Sequence, residues 1–65
     1  MLRSIHDIQD FGKLILLDDG SKWEIGSFDA FHTQMWMLMD QVEESLGKLT
    51  NVGRGNQSVD ARRKY

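Results

Sequence analysis

Four sets of side chains in this 65-residue sequence could do chemistry. Asp18 and Asp19 stand together in LLDDGSKWEI, residues 16–25, and could act as an acid/base pair or as cation ligands. A calcium loop needs oxygen ligands at alternate positions closed by a glutamate at its twelfth residue, and DDGSKWE has neither that spacing nor that length. Asp-Gly beside alternating residues is instead a strong hairpin signal, so the pair reads as a turn. His6 and His32 are the only imidazoles, neither has a partner at ligand spacing, and the chain has no cysteine. Thiolate zinc sites, cysteine nucleophiles and disulfides are thereby excluded, and a histidine zinc site is disfavoured. His32 has Ser27, Asp29 and Thr33 only as sequence neighbours, which is no triad. No catalytic, cofactor-binding or metal residue is assigned, and the reading is of a protein that is not an enzyme.

In MWMLM, residues 35–39, three thioethers alternate with His32 nearby, a pattern that could take copper(I) on one strand face. Methionine more often fills irregular core gaps or coats an adaptable contact surface, and that reading is preferred. Trp23 and Trp36 could stack bases while Arg54, Arg62, Arg63 and Lys64 meet phosphates. The charge balance opposes this. Those four cations against Asp60 leave residues 54–65 at +3 and the first 53 at −5, within a total of −2. An acidic body repels a nucleic acid unless the basic hairpin acts alone.

Such residues need a scaffold, and its elements can be read in order. Residues 1–8 form a plausible first strand, followed by a turn at Asp10-Phe11-Gly12. Residues 13–17 and 22–25 flank the Asp18-Asp19-Gly20-Ser21 turn as a hairpin. A two-residue type I′ loop at Asp19-Gly20 would set Leu17 opposite Lys22 and Leu16 opposite Trp23. Leu14, Leu16, Trp23 and Ile25 would then share one apolar face, and a one-residue slip would mix the two faces. Residues 27–49 support two readings. Phe28, Phe31, Met35, Leu38, Val42, Leu46 and Leu49 recur at helical spacing behind a Ser27 N-cap, which allows a long helix over 28–46. Alternatively, one helical turn over 28–34 gives way to strand, with Gly47 at the next bend. Residues 48–52 and 58–62 flank a loop at 53–57 as a second hairpin.

These residues resemble a loose group of small, uncharacterised bacterial proteins whose pattern runs Asp-Gly-Ser-x-Trp-Glu-Ile/Val, a tryptophan, Asp-x-Val and a Leu-x-Asn strand. The matching positions are Asp19, Gly20, Ser21, Trp23, Glu24, Ile25, Asp29, Trp36, Asp40, Val42, Leu49, Asn51 and Gly55, spread over residues 12–62. The resemblance implies a small SH3-like barrel. Met39 departs from it, standing where the group usually has glycine, and so weighs against a tight turn at residues 38–40.

The expectation is a mainly β, SH3-like barrel of about five strands with one helical turn near 28–34; the alternative is an α+β fold, a hairpin on the long helix. One domain covers residues 1–62, with 63–65 fraying. Its core is Leu14, Leu16, Trp23, Ile25, Val42, Leu49 and Val59. A domain this short buries only about 60% of its unfolded surface, so self-association is expected to contribute. The expected function is a protein-interaction or assembly module, probing its partner or a second copy through Phe28, Phe31, Met35, Trp36, Met37 and Met39. Nucleic-acid binding through Arg54, Arg62, Arg63 and Lys64 is the alternative. No stretch is long and apolar enough for a membrane span and no secretory layout opens the chain, so a cytoplasmic setting is expected, although a mature exported domain would look the same.

Overall fold

The structure is a computed structural model describing residues 2–64. Six strands, β1 (Leu2–Gln9), β2 (Leu14–Leu17), β3 (Lys22–Ile25), β4 (Gln41–Ser45), β5 (Lys48–Asn51) and β6 (Gln57–Lys64), close into an antiparallel barrel in the order β1-β2-β3-β6-β5-β4. Two three-stranded meanders, β1-β2-β3 and β4-β5-β6, are thus joined along both seams. One helix, α1 (Ser27–Thr33), links them. This is consistent with a small SH3-like barrel, with six strands where about five were expected. The long helix over 28–46 does not form.

Closure depends on the two eight-residue strands, each of which serves both halves. Leu2, Arg3 and Ser4 pair with β4, whereas Ile5 to Gln9 pair with β2 across a bulge between Ile5 and Asp7. In β6, residues 57–60 pair with β5 and residues 61–64 with β3. Arg63 and Lys64, expected to fray, are paired with Trp23 and Lys22; Tyr65 lies outside the described residues. Inward residues of all six strands, alternating in β2, β3 and β5, join Trp36 from the segment after α1 in one core of Ile5, Ile15, Leu17, Trp23, Ile25, Trp36, Val42, Leu49 and Val59.

The first hairpin forms where expected, but its register is shifted by one residue. Leu14, Ile15 and Leu16 face Glu24, Trp23 and Lys22. The loop has three residues: the Gly20 N–H donates to the Leu17 carbonyl and the Leu17 N–H to the Ser21 carbonyl, both at 3.0 Å. Of residues 18–20 only Gly20 has positive φ, +87°, the signature of a type I turn closed by a left-handed glycine. The extra loop residue exchanges the faces of β2. Ile15 and Leu17 enter the core, and Leu14 and Leu16, assigned there from sequence, are half-buried outside it.

The two-residue loop with positive φ at both positions occurs instead between β4 and β5, at Leu46 (+48°) and Gly47 (+76°). Leucine is costly in that conformation, and Leu46 is 97% exposed and so gains nothing by packing. Leu46→Asn is expected to raise stability by about 1 kcal/mol, read as a higher urea midpoint at unchanged slope.

Candidate interaction surface

The helix sits on the barrel by its polar and small residues. Ala30 and Thr33 are its buried positions, and the Thr33 hydroxyl donates to the Gly12 carbonyl. Gly12 belongs to a tight turn, Asp10–Gly12, in which three successive residues have positive φ. The Asp29 carboxylate accepts the Asp60 N–H at 3.1 Å, tying α1 to β6. Just beyond the helix, Trp36 is 3% exposed, and its indole N–H donates to the Gln57 Oε1 at 2.7 Å. The other end of that amide contacts His32 Nδ1 at 3.2 Å.

With the inward face so occupied, the large apolar side chains of this region point outward. Phe28 is 95% exposed and Phe31 69%, and Met35 follows them at helical spacing on the same side. Met37, Leu38 and Met39 continue the exposed run, and Phe11, 88% exposed, stands across a shallow groove from Leu38, with Ile8, Gly12 and Trp36 in its lining. Of ten exposed large hydrophobics among the described residues, seven come from Phe11 and the 28–39 segment. At roughly 150–200 Å² for a fully exposed large side chain, their exposures sum to about 800–1,000 Å² of accessible surface.

Two members of this surface are displayed on strained backbone. Phe11 has φ +57° and Met39 φ +75°, a region that bulky side chains seldom occupy. The tight turn that Met39 weighed against in the sequence forms nonetheless, because hydrogen bonds hold it from every side. The Met39 N–H donates to the Ile5 carbonyl, the Ile5 N–H to the Asp40 carbonyl and the Asp40 N–H to the Met37 carbonyl. Asp40 closes the turn: its Oδ2 accepts from the Met37 N–H, Asn51 Nδ2 and Arg54 Nε, each at 3.0 Å.

Burial pushes the Asp40 carboxyl up, but the hydrogen bonds from Met37, Asn51 and Arg54 outweigh it and hold it below the ordinary value. Asp19 is also lowered, chiefly by the Ser21 hydroxyl and then by the Ser21 N–H. A carboxylate depressed in the folded state stabilises above the ordinary aspartate range, near pH 4, and that contribution is lost as pH falls through the folded value. Asp40→Ala strands the fully buried Asn51 amide. We expect it to cost about 1–3 kcal/mol at pH 7 by urea denaturation, with the difference from wild type narrowing at pH 3.

The other candidate residues do not converge on a site. Asp18 and Asp19 occupy the hairpin loop, where Asp19 Oδ1 accepts from the Ser21 N–H and hydroxyl and Ser21 Oγ in turn accepts from the Trp23 indole. His6 is exposed at the bulge of β1, and His32 is exposed on α1 with its ring edge-on to Phe31. Among the described residues no three of His, Asp and Glu are placed to hold a metal ion. Arg54 is paired with Asp40 at one end of β6, while Arg62, Arg63 and Lys64 lie at the other, with Arg62 opposite Glu24. Trp36, a sequence candidate for the contact surface, belongs to the core.

No protein-family model, curated protein or solved structure matches this chain. The polar positions of the sequence pattern nonetheless hold turns and elements of this barrel in place. Asp19, Ser21 and Trp23 clasp the first hairpin, Asp29 moors the helix, and Asp40 with Asn51 closes the turn into β4. Sequence reasoning missed Phe11 and Leu38 as surface residues. Phe11 carried a usable signal, since a large side chain at a turn tip between aspartate and glycine has no core to enter.

Proposed function

We propose that this protein is a non-enzymatic assembly module that associates with a second copy of itself through Phe11, Phe28, Phe31, Met35, Met37, Leu38 and Met39. The supporting observation is the area of this apolar face. The seven side chains together expose about 800–1,000 Å², against about 800 Å² per partner in a standard stable interface. A closed barrel has no free edge, so association by strand addition is unavailable and side chains must supply the contact. We further propose a cytoplasmic setting; among the described residues no helix is long and apolar enough to cross a membrane.

Sedimentation equilibrium from about 1 to 100 µM tests the proposal. The expected result is a reversible monomer–dimer equilibrium that changes little with salt, as an apolar contact should. Monomer throughout that range contradicts it. Salt-sensitive binding of a fluorescent oligonucleotide by such a monomer would instead favour the basic residues Arg54, Arg62, Arg63 and Lys64.

A further inference from the structure

We infer that Met35, Met37 and Met39 are sites of reversible oxidation by hydrogen peroxide on the dissociated copy, and that oxidation there stops the copies from reassembling. The inference rests on the self-association proposed above. The chain has four methionines and no cysteine. Met35, Met37 and Met39 are all exposed and all on this face, while the core is built from aliphatic side chains and tryptophan without sulfur. Trp23 and Trp36, the next most oxidisable groups, are buried with their indole N–H groups bonded to Ser21 and Gln57. On a dissociated copy, a peroxide arriving from solvent therefore meets these thioethers before it meets anything that supports the barrel.

The chemistry balances without a metal. A sulfur lone pair attacks one peroxide oxygen, the S–O bond forms as the O–O bond breaks, and the departing oxygen leaves as water after proton transfer. Sulfur is oxidised by two electrons and the peroxide is reduced by two. Each product sulfoxide is a polar acceptor on a formerly apolar side chain. Apart from Gln34 in the groove and His32 beside Phe31, the members of the face are phenylalanine, leucine and methionine side chains without donors, so re-forming the contact would bury more sulfoxide acceptors than it could satisfy. Sulfoxide reductases return the thioether, which makes the change reversible.

The test treats the folded protein with hydrogen peroxide, maps oxygen uptake by peptide mass spectrometry and measures association by sedimentation. Near-UV circular dichroism of the tryptophans reports on the barrel. We expect oxygen on Met35, Met37 and Met39, an unchanged tryptophan spectrum and a dimer dissociation constant raised about tenfold or more. Whatever its own dissociation constant, the variant Met35→Leu/Met37→Leu/Met39→Leu should show the same constant before and after peroxide, which also controls for Met1; a variant whose association still weakens after peroxide overturns the inference. Wild type that remains assembled with all three methionines oxidised overturns the inference and leaves self-association standing. Untreated protein that is already monomeric overturns both, and loss of the tryptophan spectrum overturns a block on reassembly by surface chemistry.

Discussion

Replacing Phe28 and Phe31 together by aspartate should leave the barrel folded and lower its self-association constant by about a hundredfold or more. Both rings project from the outer side of α1, away from the Ala30 and Thr33 positions that seat the helix. Truncating a central aromatic anchor commonly costs about 2 kcal/mol or more of association, and a carboxylate in its place must also be desolvated. The expected effect on stability is small, within about 0.5 kcal/mol per site for surface substitutions. Residue 28 lies in the first turn of the helix, where a negative charge is favourable. Sedimentation and urea denaturation of the same sample separate the two effects. An unchanged association constant would remove this helix face from the interface.

The largest effect on the fold is expected from Gly12→Ala. A Cβ at Gly12 would lie 2.6 Å from the Gln34 amide nitrogen and 2.7 Å from both the Ala30 carbonyl oxygen and the Thr33 hydroxyl. Two of those three atoms are backbone and cannot swing aside, so the turn and the helix must part. Gly20→Ala is the matched control. Its φ of +87° is close to the +91° of Gly12, yet nothing lies within 4 Å of its Cβ. Backbone strain alone should cost Gly20→Ala about 1 kcal/mol. Gly12→Ala should cost about 3 kcal/mol or more, a large share of what a domain of this size possesses. Equal losses in urea denaturation would mean that the turn does not press on α1 as described.

The hairpins and their glycines were legible because turn chemistry is local. Asp18-Asp19-Gly20 announces a reversal whatever surrounds it. Whether the loop has two residues or three depends on the Asp19 to Ser21 hydrogen bonds and on which face the rest of the barrel offers, so the register came out one residue off and exchanged Leu14 and Leu16 for Ile15 and Leu17. The 27–49 stripe misled for a related reason. Val42 and Leu49 are buried by strand alternation, whereas Phe28, Phe31, Met35 and Leu38 have helical spacing but face solvent. What ends the helix is non-local. Trp36 must turn inward to meet Gln57, and Asp40 draws the chain into β4 through Asn51, eleven residues ahead. Of the candidate surface, Phe28, Phe31, Met35, Met37 and Met39 were legible as an unusual density of large apolar residues. The burial of Trp36 was not, because it is decided by β6.

We propose that copies of this barrel meet at the face formed by Phe11 and residues 28–39. An NMR dilution series tests it most directly, following backbone amide resonances as the concentration falls from about 500 to 10 µM across the range expected for an interface of this size. We predict concentration-dependent shifts at Phe11, Phe28, Phe31, Met35, Met37, Leu38 and Met39, with the loop at residues 18–21, Leu46 and residues 62–64 unmoved. Shifts confined to those other positions, or none at all, would contradict the account.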